Sequence, residues 1–374
     1  SRTPMPRRRL WQRCSVTTIK RRHFLGAAGA TLFAPQLASC ARYDKVPANG
    51  VPVSRFNQDS TADEVTEGLD LEGKLAVVTG CTTGIGFETM RVLARRGAYV
   101  VGTSRSLKRA EDACRKVVGT TTPVALDLGD FDSVAKCADD IRTLRSPIDM
   151  LICNAGYRGG GNDRQLINGV EKHFVINHLG HFILINRLME RLYLSWQGRI
   201  VIVASRTAYR DAPDEGILFD DLGMEREYSD ALAYGHSKLA NALCSLQMAE
   251  QLRGTRITSN ALHPGVINTD IDRNLSPVSR LVWSVYSGIA GKTVEQGAAT
   301  SCYVATSKQL GNISGQFFED CNAVTIEGTG RIHDKMMAGK LLQKSIDLTA
   351  DWLVEFTEPK KEDFDLGNRS KKAE

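Results

Sequence analysis

The chain has 374 residues, enough for one large domain or two small ones. Its formal charge is +5, but the basic excess is local: residues 1 to 23 carry eight basic side chains and no acid. With those eight set aside, 40 Lys and Arg face 43 Asp and Glu, which excludes an electrostatic case for nucleic acid in the folded part. An apolar fraction of 42% allows a sizeable core. The nine cysteines show no C-x-x-C and no Cys/His cluster, so no metal site is expected and buried free thiols are.

The chain opens on a leader-like segment. Lys20-Arg21-Arg22-His23-Phe24-Leu25 precedes Gly26 to Ala34, a short and weakly hydrophobic run. Twin arginines before such a run resemble a Tat export signal. Leu37-Ala38-Ser39-Cys40 also resembles a lipoprotein cleavage box, with Cys40 as the lipidated residue. The run is short for a membrane-spanning helix, and Pro35 and Gln36 interrupt it. An uncleaved N-terminal anchor and an organelle transit peptide are the alternatives, so membrane association would come through the N-terminus. We read residues 1–40 as a targeting or anchor segment and 41–69 as a polar linker.

The first core element follows. Lys74 to Val78 is an apolar run of the kind that forms a buried parallel strand. It leads into Thr79-Gly80-Cys81-Thr82-Thr83-Gly84-Ile85-Gly86, and helical spacing begins at Phe87. Strand, glycine turn, helix is the context in which small residues admit a pyrophosphate to the backbone and a helix N-terminus supplies free N–H groups. Ala98 to Thr103 is the next strand and ends near Arg105. An acid there would take a ribose 2′-hydroxyl, whereas an arginine takes a 2′-phosphate. Arg105, with no acid before Glu111, predicts NADP(H).

Three further strands end in polar or small residues. Pro123 to Leu126 runs into Asp127-Leu128; Met150 to Cys153 runs into Asn154-Ala155-Gly156; Arg199 to Ala204 ends at Ser205. Ligands bind at the C-terminal edge of open parallel sheets, which makes this shared placement informative. Downstream, Tyr234 and Lys238 stand four residues apart, so on a helix both project from one face. A nearby ammonium favours phenolate over phenol, which suits a tyrosine that moves a proton near neutral pH.

Together these residues resemble the short-chain dehydrogenase/reductase superfamily. The resemblance is carried by Thr79 to Gly86, Asn154 to Gly156, Asn177, Ser205, Tyr234, Lys238 and Pro264-Gly265. Within it, the chain is similar to the retinol dehydrogenase and WW-domain oxidoreductase group, through Val175 to Phe182, Phe219 to Leu222, Ala233 to Asn241 and Gln316 to Cys321. It covers residues 70–356. Ala204 and Cys153 depart from the group's usual serine and asparagine without removing a required chemical group. The resemblance implies an α/β fold: a Rossmann-like doubly wound parallel sheet in a single large domain with a C-terminal helical extension. Residues 357–374, charged and poor in apolar side chains, are expected to be disordered.

The resemblance also assigns roles. Tyr234 is the general acid and base, Lys238 supports it and holds the nicotinamide ribose, and Ser205 hydrogen-bonds the substrate oxygen. Asn177 holds a water in a relay to Lys238. Thr79, Gly80, Thr82, Gly84, Ile85, Gly86, Arg105, Asp127, Leu128, Asn154, Ala155 and Gly156 line the cofactor; Pro264, Gly265, Val266 and Thr269 flank its nicotinamide end. Hydride transfer between NADP(H) and an alcohol/carbonyl pair is the implied reaction. Two variable segments, 209–230 and 268–293, would set the substrate. The second carries Leu281, Val282, Trp283, Val285, Tyr286 and Ile289, which suggest a lipophilic, retinol-like substrate or merely pack a lid. A non-catalytic nucleotide-sensing scaffold and a protochlorophyllide-reductase-like enzyme are the alternatives. The sequence leaves the oligomeric state open, with a homodimer compatible.

Overall fold

A computed structural model describes residues 43–159, 163–267, 291–328 and 331–356. The main-sheet strands are β1 (Lys45–Pro47), β2 (Leu75–Thr79), β3 (Tyr99–Ser104), β4 (Thr121–Ala125), β5 (Met150–Cys153), β8 (Arg199–Val203), β9 (Thr258–His263), β10 (Phe317–Glu319) and β11 (Asn322–Ile326), and a small hairpin pairs β6 (Leu166–Ile167) with β7 (Val170–Glu171). The helices are α1 (Ala62–Val65), α2 (Gly84–Arg95), α3 (Leu107–Cys114), α4 (Phe131–Arg142), α5 (Lys172–Phe174), α6 (Gly180–Tyr193), α7 (Thr207–Arg210), α8 (Asp230–Gln251), α9 (Val294–Thr306) and α10 (Lys335–Thr349).

The sheet order is β1-β11-β10-β9-β8-β5-β2-β3-β4. From β4 across to β10 every pairing is parallel, whereas β11 and β1 join antiparallel. The chain walks outward from β2 to β4 and then returns to β5 on the other side of β2. That reversal leaves a crevice at the C-terminal ends of β2 and β5, where neighbouring connections part. The fold is therefore the expected Rossmann-like doubly wound sheet.

Both faces of the sheet are covered, so its inner strands read as unbroken apolar runs. β2, β5 and β8 are buried along their whole length. On one face α4, α6 and α8 contribute Val134, Leu184 and Leu243 to the larger core; on the other, α2 and α9 contribute Leu93 and Cys302. Each large apolar side chain buried this way contributes about 1.5–3 kcal/mol. The C-terminal extension packs along α8 through Ala338, Leu341 and Leu342 of α10. Its end is tied by Trp352 Nε1 to Asp132 at 2.7 Å and by Arg187 to the Trp352 carbonyl at 2.9 Å.

Residues 43–69, expected as a polar linker, are part of the domain. β1 pairs with β11, and Asn322 bonds the Ser54 N–H at 2.8 Å and the Phe56 carbonyl at 2.9 Å. Thr61 and Glu64 form a capping box on α1, whose Asp63 meets Arg91 of α2 at 2.6 Å. Backbone pairing and ion pairs hold this segment together with a few scattered apolar contacts, Ala48, Ala62, Val65 and Phe56, so its composition carries no periodic apolar signal. Helix α2 also begins three residues earlier than the apolar spacing implied, at Gly84, because Thr83 is extended (φ −153°) and takes the N-cap position.

Seven cysteines among the described residues are free and buried, as expected. Among the described residues no His/Cys/Asp/Glu group could hold a metal, and no helix is long and apolar enough to cross a membrane. The leader 1–40, the tail 357–374 and the apolar side chains of the proposed lid lie outside the described residues.

Candidate active site

A cleft of about 680 Å³ opens over the C-terminal ends of the parallel strands, within the ordinary size range of small-molecule sites. Gly80, Thr82, Gly84, Ile85, Gly86, Arg105, Asp127, Leu128, Asn154, Ala155 and Gly156 line one half of it; Ser205, Tyr234, Lys238, Pro264, Gly265 and Val266 line the other. Thr269 lies outside the described residues.

The glycine turn needs its glycines for two separate reasons. Gly80 and Gly84 have φ of +71° and +60°, a region that side chains other than glycine rarely adopt. At Gly86 the reason is space: a Cβ there would overlap the Gly80 carbonyl and the Asn154 side-chain amide. Thr83 makes no side-chain cap bond, so the first-turn N–H groups of α2 face the cleft without an internal partner from that hydroxyl. Backbone N–H groups at a helix N-terminus, reached without side chains in the way, fit the pyrophosphate of a dinucleotide.

Thr79 and Asn177 do not line the cleft; each holds up its wall from behind. Thr79 is fully buried, and its Oγ1 accepts the N–H groups of Asn154 and Ala155, both at 2.9 Å. His181 Nδ1 donates to the Asn177 carbonyl at 3.0 Å, which leaves Nε2 to accept from Thr79 Oγ1 at 2.9 Å. Burial keeps His181 neutral by pushing its pKa down to about 4. Asn154 Nδ2 then bonds the Thr79 carbonyl at 2.9 Å, so β2 and β5 are locked at the reversal point.

Asn177 sits in a π-helical turn, Val175–Leu179, between α5 and α6; such turns recur at functional sites. Its Oδ1 accepts from the Tyr157 N–H at 2.6 Å, and its Nδ2 donates to the Tyr157 carbonyl and to Ser237 Oγ at 3.0 and 2.9 Å. Ser237 in turn donates to the Tyr234 carbonyl at 2.8 Å. Asn177 therefore fixes the strand-end loop and the tyrosine's helix to each other.

Helix α8 is capped by Ser229, whose hydroxyl accepts from the Leu232 N–H at 3.1 Å. One turn on, Tyr234 faces the cleft, and Lys238 follows one turn later. Lys238 is 2% exposed; its Nζ donates to the Val203 carbonyl at 2.9 Å and lies 5.6 Å from the centre of the Tyr234 ring. Burial pushes its pKa down to about 8. Ser205 Oγ accepts from the Thr207 N–H at 3.3 Å, so its own proton is left to donate into the cleft.

Several cleft residues were not singled out from the sequence. Arg109 lies one helical turn beyond Arg105, and both line the cleft. Arg206 and Arg210 follow Ser205 with helical spacing, which was a readable signal once Ser205 was placed. Arg158 and His263 also line the cleft; Arg158 lies over the Tyr234 ring, 5.3 Å from its centre.

Residues 74–215 match the short chain dehydrogenase family. The chain is 37% identical over 308 residues to the chloroplastic short-chain dehydrogenase TIC 32 A of Brassica napus, covering 79% of this chain and 94% of that one. The chain belongs to the short-chain dehydrogenase/reductase family. It is also 37% identical over 288 residues to retinol dehydrogenase 12 of Mus musculus, with 76% of this chain and 88% of that one covered; the retinol-dehydrogenase-like group is thus its place within the family. A crystal structure of an uncharacterised protein from Mycobacterium paratuberculosis superposes with a TM-score of 0.61 at 29% identity, covering 76% of this chain and 97% of that one. Members of this family are oxidoreductases that use a nicotinamide dinucleotide, and the glycine cradle of this dehydrogenase fits one.

Proposed function

We propose that this dehydrogenase interconverts an alcohol and a carbonyl with NADP(H), Tyr234 giving the proton in reduction and taking it in oxidation. The observation that carries the reading is Lys238: a buried ammonium, held on the Val203 carbonyl, beside the ring of a tyrosine that faces the same cleft as Ser205. The dinucleotide, when bound, supplies or takes up the hydride. Tyr234 passes its phenolic proton to the substrate oxygen, and Lys238 stabilises the phenolate that remains. Ser205 donates its hydrogen bond to the same oxygen as charge develops there. Asn177 holds the loop and helix that carry these groups in register. All four side chains are present, whereas a non-catalytic scaffold would be free to lose any of them.

Arg105, just past the end of β3, and Arg109, in α3, are both exposed and line the cleft; they support the choice of NADP(H), since guanidinium groups suit the 2′-phosphate. Fluorescence titration of the purified protein with NADPH and NADH checks this: NADPH binds more tightly, and Arg105→Asp reverses the order. Equal affinities in the unsubstituted protein contradict the choice. Oxidation of NADPH on a panel of lipophilic aldehydes and ketones then tests the reaction itself. The N-terminal segment fits an address to an organelle or membrane, in keeping with the chloroplastic naming of one relative; fractionation of cells that make the protein with and without residues 1–40 tests it.

A further inference from the structure

On the far side of Ser205 from the glycine turn, the cleft is lined by Arg206 and Arg210 of the α7 segment and by His263 at the end of β9. Sheet order separates this wall from the dinucleotide. The glycine turn and Arg105 stand over β2 and β3, whereas Arg206 reaches across to Glu319 at the end of β10, on the other side of β8. The cations of this wall are therefore not placed to hold the cofactor's phosphates.

Among the described residues Arg206, Arg210, Lys45 and Lys292 meet three carboxylates, Glu319, Asp320 and Asp211, the last of which lines the cleft and acts on Arg210 and Arg158. Glu319, 2% exposed, accepts Lys45 Nζ at 2.7 Å and the Tyr209 hydroxyl at 2.7 Å, and lies 3.5 Å from Arg206 Nε. One carboxylate thus serves two cations, and its hydrogen bonds go to Lys45 and Tyr209. Lys292 is matched by Asp320 at 2.6 Å. His263 is 4% exposed, and neither ring nitrogen has a hydrogen-bond partner among the described residues. Burial keeps it neutral, helped by four nearby cations, Arg206, Lys292, Lys45 and Arg210. A neutral imidazole in the cleft offers one N–H donor to an acceptor group. Guanidinium forks beside that donor match the geometry of an oxyanion.

We propose that the substrate carries an oxyanion, a carboxylate or phosphate, which Arg206 and Arg210 hold with His263 while its carbonyl lies at Ser205 and Tyr234. The proposal rests on the oxidoreductase reading for the identity of the reacting group. It makes the substrate amphiphilic: charged at the arginine wall, with any lipophilic part elsewhere in the cleft.

The test compares para-formylbenzoate, its methyl ester and para-formylphenyl phosphate as substrates of the NADPH-loaded enzyme. The expected result is a kcat/KM at least about tenfold higher for an anionic aldehyde than for the ester, falling as salt rises. Arg210→Gln, and Arg206→Lys, which keeps a cation beside Glu319, should each shrink that ratio several-fold. Preference for the phosphate over the benzoate would identify a phosphate as the oxyanion. Equal turnover of acid and ester, or a ratio unchanged in both variants, overturns the proposal. If none of the aldehydes reacts, calorimetry of benzoate against methyl benzoate on the enzyme–NADP complex decides it: tighter benzoate binding that weakens in Arg210→Gln supports the subsite, and equal binding removes it. Failure to bind NADPH at all would instead strike the oxidoreductase reading.

Discussion

The cleft has two halves, and they are built from different materials. Over β2, β3 and β5 its wall is mostly backbone, brought close by Gly80, Gly84 and Gly86 and locked from behind by Thr79, Asn154 and His181. Over β8, β9 and β10 it is side chain: Ser205, Tyr234 and Lys238 at the centre, then Arg206, Arg210 and His263. A backbone wall recognises what every dinucleotide shares. A side-chain wall can be changed residue by residue without disturbing the sheet, which makes it the half in which substrate choice can vary.

The sharpest way to break this contrast is to damage each half and see which property fails. Lys238→Met removes the buried ammonium while keeping the volume of its stem, and turnover should fall at least about a hundredfold, the usual scale of proton-transfer catalysis. In the unsubstituted enzyme the reductive kcat/KM should decline as pH rises through about 8, where Lys238 loses its charge. Lys238→Arg, which holds its charge, should move that limb upward if it retains activity. A flat profile across this range would separate Lys238 from the proton chemistry.

Gly86→Ala damages the other half. Its Cβ has no room between the Gly80 carbonyl and Asn154, so the turn must shift. NADPH affinity should weaken at least about tenfold, and overpacking should cost about 1–3 kcal/mol of stability. Unchanged binding would mean that the turn yields without cost and that close backbone approach is not what the glycine provides.

A separate effect concerns the frame that both halves share. His178, His181 and His236 are buried neutral, with pKa values pushed down to about 3, 4 and 4. Between the usual histidine value of about 6.5 and those values, the unfolded chain binds protons that the folded chain does not. Stability should therefore fall as pH drops below about 6.5, by up to about 2 kcal/mol per histidine at about pH 5. Urea midpoints measured at about pH 7 and about pH 5 check this, and a midpoint that does not move would show that these rings are solvated.

How much could be read in advance follows the same division. The buried parallel strands announced themselves as apolar runs, and the glycine turn and the Tyr234–Lys238 spacing lie in short contiguous segments. Their placement at one edge of the sheet was legible for that reason. Thr79 looked like a ligand contact from its position in the turn; only the register of β2 against β5 shows it facing inward. Residues 43–69 hid their role because a strand pairing with β11 and an ion pair to Arg91 leave no periodic apolar trace. Arg206 joins Glu319 across 113 positions of sequence, a contact that depends on β8, β9 and β10 lying side by side.

The central claim is that the side-chain half performs the proton transfer while the backbone half binds the dinucleotide. Tyr234→Phe tests it most directly, because the ring stays and only the transferable proton is lost. With a carbonyl substrate of the unsubstituted enzyme in hand, the account predicts that steady-state turnover falls at least about a hundredfold while the NADPH dissociation constant from fluorescence titration changes little. Turnover that persists at the unsubstituted rate would contradict it.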